Sequence, residues 1–178
     1  MKVLATLVEH GERNGVKLLV IGGHALNVLG YRRQTGDLDL LVSKTDRSFW
    51  SDALLRLKYK SFQSHEVFER FEPGTIAEWP VDLMFVDSTI FKQLCSEAVL
   101  GDFGTVIVGV PSVRHMIALK LHALKQRQSH REEKDLSDVR ELLKLNVVES
   151  DEFRQLCEKY DRLDVFTKLA NEKNIYEI

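Results

Sequence analysis

The stretch at 18–42, LLVIGGHALNVLGYRRQTGDLDLLV, constrains the fold more than any other part of the chain. Leu18 to Ile21 is a short apolar run with the length of a buried strand, and the pair Gly22-Gly23 ends it with a tight turn. The segment from His24 to Leu29 has the apolar spacing of a short helix, which Gly30 is placed to stop. The pattern therefore predicts a strand, a turn and a helix that lead through a polar loop into a second strand.

The second strand, 37–42 (DLDLLV), carries two carboxylates on one face. Side chains alternate along a strand, so Asp37 and Asp39 point the same way, roughly 6.6 Å apart, while Leu38 and Leu40 point into a core. Two neighbouring carboxylates repel each other unless a cation lies between them. The pair therefore predicts a cation site at the head of this strand.

A third carboxylate, Asp82, lies inside the apolar run at 81–86 (VDLMFV), which predicts another strand. Burying an unpaired carboxylate costs several kcal/mol, so Asp82 needs a reason to be there. It is either a further ligand of the same cation, or a residue at a strand edge or in an ion pair with an arginine.

These residues resemble the signature of the nucleotidyltransferase superfamily, which has the DNA polymerase β-like fold. That signature is two small residues, a spacer, and then Asp-h-Asp-h with h apolar, as in Gly22-Gly23 and 37–40 (DLDL). The intervening Gly30, Arg33 and Thr35 fit the form of the AbiEii-type branch, which some antibiotic nucleotidyltransferases share. In this superfamily a neighbouring strand supplies a third carboxylate in an h-Asp-h context, which 81–83 (VDL) matches.

Two later stretches extend the resemblance to about residue 140. The segment 120–127 (KLHALKQR), which runs from Lys120 to Arg127, resembles the K-x-x-A-x-x-x-R element of AbiEii-type proteins. The segment 134–139 (KDLSDV) resembles their K-D-h-x-D-h element. The alternatives for these two stretches are a Lys120 that extends its ammonium to solvent and a surface ion pair between Lys134 and Asp138.

The resemblance implies a role for each matching residue. The implied metal ligands, for Mg²⁺ or Mn²⁺, are Asp37, Asp39 and Asp82, which with Lys120 and Asp138 also form the implied catalytic set. The residues implied to bind the nucleotide are Gly22, Gly23, Arg33, Thr35, Lys120, Lys134 and Asp135.

The order of the elements predicts an α/β (α+β) fold, a small mixed sheet flanked by helices with a helical C-terminal region. We expect the α/β core at 1–110 and the helical region at 111–178, either as a region packed on the core or as part of one compact domain. With 178 residues the chain is long enough for a proper core, and its formal net charge of −2 disfavours sequence-blind binding to nucleic acid. The two cysteines form neither a disulfide framework nor a metal pair, and no signal peptide or membrane span is evident, so we expect a cytoplasmic protein.

The function that the resemblance implies is metal-dependent transfer of a nucleoside monophosphate from an NTP to an acceptor hydroxyl or phosphate. The expected acceptor is RNA or tRNA, a protein or a small molecule. The resemblance also implies an enzyme of the kind found in toxin–antitoxin or abortive-infection systems. The enzymatic alternative is aminoglycoside- or lincosamide-type antibiotic nucleotidylation, and the non-enzymatic one is an NTP-binding regulatory module. The expected partners are the NTP and, beyond it, an antitoxin protein or a second copy of the chain.

Overall fold

A computed structural model describes residues 2–125 and 129–170, with the backbone alone for 129–131. The chain divides into two compact units, one up to Pro111 and the other from Ser112 onward. Within the described residues, no helix combines the length and the apolar character that crossing a membrane requires.

The first unit contains four α-helices, seven strands and a single 3₁₀ turn among its described residues. In chain order these are α1 (Lys2–Asn14), β1 (Leu19–Val20), α2 (Gly22–Val28), β2 (Leu38–Ser43), the 3₁₀ turn (Lys44–Asp46), α3 (Arg47–Arg56), β3 (Lys60–Ser64), β4 (Phe68–Glu72), β5 (Val81–Val86), α4 (Ser88–Ser96), β6 (Val99–Asp102) and β7 (Ile107–Val110).

Five strands form one mixed sheet in the order β1-β2-β5-β4-β3. Strands β2 and β5 are parallel, and the other three pairs are antiparallel. Strands β6 and β7 form a separate two-stranded antiparallel sheet. The predicted α/β fold with a small mixed sheet is therefore confirmed.

The apolar alternation of β2 and β5 fixes how the two central strands pair. Leu38 lies opposite Val81 and Leu40 opposite Leu83, and all four side chains are buried. Because a one-residue slip would send every side chain to the other face, this buried set specifies the register. The same register sends the aspartates of both strands to the opposite face.

Several element ends differ from the sequence-based expectations. The helix expected at 24–29 begins earlier, at Gly22. The segment 88–95 (STIFKQLC) predicts a short helix capped by Ser88 or Thr89, but the cap of α4 is Asp87. Its Oδ1 accepts a hydrogen bond from the Thr89 N–H at 2.8 Å, and this bond lowers the pKa of the Asp87 carboxyl.

The second unit contains four helices within the described residues: α5 (Val113–Lys125), α6 (Ser129–Leu143), α7 (Ser150–Lys159) and α8 (Leu163–Ala170). Leu121 and Leu124 of α5 are buried, as are Val139 and Leu142 of α6. Arg162 precedes α8, and its Nε and Nη2 each donate to the Asp164 carboxylate at 2.8 Å, while Nη1 donates to the Leu124 carbonyl. The sequence predicts helices at 112–128 and 161–173, and the ends of both lie outside the described residues, as does Arg127.

The apolar spacing of residues 1–14 predicts a helix that ends at Gly11 or Gly15. Helix α1 continues through Gly11 and ends at Asn14, after which Gly15 takes a φ of +67°. A Cβ on Gly11 would lie 2.5 Å from the Val16 carbonyl oxygen and 2.6 Å from Cη2 of the fully buried Trp50. Real Cβ contacts are longer than this, so only glycine fits at position 11 without a shift of α1 or of the indole.

We expect Gly11→Ala to lower the free energy of unfolding by up to about 2 kcal/mol, because overpacking costs about 1–3 kcal/mol and outweighs the gain of about 1 kcal/mol in helix propensity. The measurement is urea denaturation followed by circular dichroism. The control is Thr6→Ala on the exposed side of the same helix, which should be near neutral. A Gly11→Ala variant more stable than the wild type would contradict the packing described here.

Candidate active site

Three carboxylates converge where β2 and β5 lie side by side. Asp39 is the direct register partner of Asp82, and Asp37 precedes β2 by one residue. Each of the three can offer an oxygen such that the three oxygens all lie within 4.8 Å of one another, and each residue is partly exposed. Ligands on opposite sides of one Mg²⁺ are about 4.2 Å apart, so small side-chain adjustments would let all three bind a single ion.

The first glycine of the Gly-Gly pair lies against this cluster. Gly22 has a φ of +65°, and a Cβ there would lie 1.9 Å from Asp39 Oδ2. The Ile21 N–H also donates to the Asp39 carbonyl at 3.0 Å. The turn after β1 is therefore packed directly on the Asp39 side chain, and both the backbone angle and the lack of space require glycine.

The second glycine makes room for Thr35. A Cβ on Gly23 would lie 2.6 Å from the Thr35 Cβ. The Thr35 hydroxyl donates to Asp37 Oδ1 at 2.7 Å. This bond orients the Asp37 carboxylate, so Thr35 acts on the cluster through Asp37.

The loop between α2 and β2 is held by a residue that sequence reasoning missed. The Asn27 side chain donates from Nδ2 to the Arg33 carbonyl at 3.0 Å, and its Oδ1 accepts from the Arg33 N–H at 2.7 Å. This pair of bonds fixes the backbone two residues before Thr35. The sequence offered no signal for it, because an asparagine on a short helix is also compatible with simple solvation.

Arg70 is the second residue that sequence reasoning did not name. It lies opposite Asp82 in the antiparallel β4–β5 pair, and its Nε is 3.2 Å from Asp82 Oδ2. The two explanations for Asp82, a cation cluster and an arginine partner, therefore both apply to the same carboxylate.

An aromatic pair lies beside the cluster. The His24 ring packs against the Trp79 ring with centroids 4.7 Å apart. Burial lowers the pKa of His24, and the negative charge of Asp37 opposes that shift only in part. His24 is therefore neutral at pH 7, and its buried Nε2 has no hydrogen-bond partner within the described residues.

In the second unit, Lys120 of α5 bridges two aspartates of α6. Its Nζ is 2.7 Å from Asp135 Oδ1 and 2.6 Å from Asp138 Oδ2. The side chains of Lys120 and Asp138 are only 14% and 1% exposed, so Lys120 does not extend to solvent. Lys134, by contrast, is exposed.

The charge state of Lys120 follows from these contacts. Burial by itself would lower the pKa of Lys120, but the charges of Asp135 and Asp138 and the hydrogen bonds to both outweigh it and raise the pKa above its ordinary value. The structure thus groups Asp37, Asp39 and Asp82 in one unit and Lys120, Asp135 and Asp138 in the other. The convergence of the two groups on one nucleotide stays a prediction.

The fold has counterparts among solved structures. The antibiotic-resistance factor ANT(2")-Ia, in complex with adenylyl-2"-tobramycin, superimposes with a TM-score of 0.66 at 13% identity, over 92% of this chain and 97% of that chain. An antigenic nucleotidyltransferase-like protein from Paracoccidioides brasiliensis gives 0.58 at 17% identity, over 95% and 91%. The lincomycin-bound lincosamide antibiotic adenylyltransferase LnuA gives 0.53 at 12% identity, over 79% and 96%. At these identities the likeness shows the fold alone.

No curated protein matches the sequence. A family model does match, and its description is nucleotidyl transferase AbiEii toxin, type IV TA system. It covers residues 71–174, more than half of the chain, including Asp82 and Lys120 but beginning after β2. A match of this extent, on a chain with the nucleotidyltransferase fold, establishes the family: the chain belongs to the AbiEii nucleotidyl transferases.

Proposed function

We propose that this protein is a metal-dependent enzyme that transfers a nucleoside monophosphate from an NTP to an acceptor and releases pyrophosphate. The observation that carries the proposal is the cluster of Asp37, Asp39 and Asp82, whose oxygens lie within 4.8 Å of one another. Such a set of carboxylates on adjacent strands suits a hard divalent cation such as Mg²⁺ or Mn²⁺. Nucleotidyl transfer needs such a cation because the triphosphate carries several negative charges.

In this proposal Asp37, Asp39 and Asp82 hold the metal. When bound, the ion would neutralise charge on the phosphates of the nucleotide and so favour attack at the α-phosphorus. Thr35 keeps the Asp37 carboxylate in place through its 2.7 Å hydrogen bond. Gly22 keeps the turn after β1 close to Asp39.

The bond changes of the transfer are simple. The acceptor oxygen bonds to the α-phosphorus, and the bond from that phosphorus to the bridging oxygen breaks, so pyrophosphate leaves with the electron pair. Asp82 accepts the proton of the acceptor hydroxyl. The nucleotide is bound by the backbone at Gly22 and Gly23 and by the side chain of Arg33.

In this proposal the second unit helps to bind the phosphates of the nucleotide. Lys120 supplies a point charge for the phosphates, and Asp135 and Asp138 both form ion pairs with its ammonium. Lys134 is exposed and provides a further positive charge. Asp138 acts by positioning Lys120 because its own side chain is almost wholly buried.

The family description names a toxin of a type IV TA system, and we extend that role to this chain. The partner would then be an antitoxin protein, and the acceptor a cellular RNA or protein. A cationic antibiotic is the alternative acceptor, since proteins of this fold include the lincosamide adenylyltransferase LnuA.

The test is incubation of the protein with each α-labelled NTP, Mg²⁺ and one of three acceptor pools: total RNA, cell protein or a panel of aminoglycosides and lincosamides. We expect label in one pool, dependent on divalent metal and abolished by EDTA. Label in none of the pools, with tight nucleotide binding, would favour the regulatory module. The absence of both labelling and nucleotide binding would refute the proposal.

Asp39→Asn tests the metal cluster because it keeps the shape and removes one charge. In EDTA we expect the free energy of unfolding to stay the same or rise, since one source of repulsion is gone. Transfer should fall by orders of magnitude, as expected where stability and activity trade off. Thermal melts with EDTA and with Mg²⁺ plus NTP, and labelled-NTP assays, give both values.

The control for Asp39→Asn is Asp52→Asn, which removes an exposed carboxylate from α3 and should change neither property. If Asp39 has a purely structural role, Asp39→Asn instead lowers stability by about 1–3 kcal/mol through lost charged hydrogen bonds. That result, together with a wild type indifferent to metal and nucleotide, would contradict the metal site.

Lys120→Met tests the ionic group of the second unit. Removal of the ammonium leaves two carboxylates facing each other, one of them buried, so we expect a loss of about 3–5 kcal/mol in the free energy of unfolding. Because the folded pKa of Lys120 is raised, its contribution is complete below its unfolded pKa of about 10.4 and is lost only at higher pH.

The difference in stability between wild type and Lys120→Met should therefore be the same at pH 7 and pH 9, measured by urea denaturation. Lys125→Met, on an exposed position of the same helix, is the control and should be near neutral. Lys120→Arg keeps the charge and should recover part of the stability. A Lys120→Met variant as stable as the wild type would show that the two aspartates do not depend on this lysine.

A further inference from the structure

A row of polar side chains crosses four strands of the main sheet. Asp39 is the register partner of Asp82, Asp82 of Arg70, and Arg70 of Gln63. Residues directly opposite on neighbouring strands project their side chains to the same face. The row therefore runs from the carboxylate cluster on β2 and β5, through Arg70 on β4, to the edge strand β3.

A bulge in β3 puts Gln63 into this row. Ser61 lies opposite Phe71, and the next pair along the strands is Gln63 with Arg70, so Phe62 is the extra residue. Without the bulge, Phe62 would face Arg70 in place of the glutamine. The irregularity thus supplies a polar partner for the arginine.

Three contacts fix the guanidinium of Arg70. Its Nε lies 3.2 Å from Asp82 Oδ2, and its Nη1 donates to Gln63 Oε1 at 3.1 Å. The group also lies over the Phe68 ring, 5.3 Å from the centroid. The side chains of Arg70 and Asp82 are 28% and 15% exposed, so the pair is partly shielded from water. Arg70 is therefore held beside the carboxylate cluster.

The charge of Arg70 has opposite effects on the two ligands of the proposed reaction. Asp37, Asp39 and Asp82 together carry a formal charge of −3 when all are ionised, and Arg70 offsets one unit of it. A free divalent cation is attracted less strongly to the cluster when Arg70 is present. A polyphosphate anion is repelled less strongly.

From this geometry we propose that Arg70 is the counter-ion that makes the site favour a divalent cation bound together with a nucleotide's phosphates over the cation alone. The inference rests on the proposed function, since it assigns a role to Arg70 within the same site. Arg70 does not react in this role; its positive charge determines which ligand the site prefers.

The test compares Arg70→Gln with the wild type for two probes, Mn²⁺ alone and inorganic tripolyphosphate in the presence of Mg²⁺, both by titration calorimetry. Tripolyphosphate carries no base, so the base preference does not enter. We expect Mn²⁺ to bind about fivefold tighter or more, and Mg²⁺-tripolyphosphate about fivefold weaker or more, because one positive charge is removed. Arg70→Lys keeps the charge and should lie close to the wild type for both probes.

Arg56→Gln, on an exposed position of α3, is the matched control and should change neither affinity. Arg70→Met is a second neutral variant for the case that Arg70→Gln does not fold, which a thermal melt shows. A neutral variant that folds and weakens both probes, or changes neither, overturns the inference while the proposed function stands. A wild type that binds neither probe overturns the proposed function and the inference together.

Discussion

The parallel pairing of β2 with β5 is the constraint on which the site depends. The buried pairs Leu38–Val81 and Leu40–Leu83 set the register, and the register brings Asp39 next to Asp82. Apolar burial, worth about 1.5–3 kcal/mol for each large side chain, thus holds two like charges together. The repulsion between the two carboxylates is tolerated because the core behind them does not allow the strands to slip.

The main features of fold and site were predictable because they follow from local patterns. The alternation of Asp37, Leu38, Asp39 and Leu40 predicted a strand with one acidic face, and the paired glycines predicted the turn that packs on it. The contacts of Arg70 and Asn27 were not predictable, since both depend on which residues lie opposite in space. The cap at Asp87 was missed by one residue, as helix ends often are.

Lys120 shows where a motif and a contact carry different information. Its place in a K-x-x-A element indicated a catalytic lysine, whereas the structure gives it two carboxylate partners in its own unit. The same residue then has a structural task and a proposed functional one. Sequence reasoning could not separate them, because Asp135 and Asp138 lie 15 and 18 positions away.

The bulge at Phe62 has a consequence for how this protein can change in evolution. Edge strands on a surface ordinarily accept insertions and deletions, and every residue of β3 is exposed. Here the deletion of Gln63 would straighten the strand and bring the Phe62 ring, in place of an amide, to the end of the Arg70 side chain, whereas the deletion of Phe62 would straighten the strand and leave the amide in place. In an exposed strand with little to bury, the electrostatics of a site two strands away thereby decides which residue can be lost.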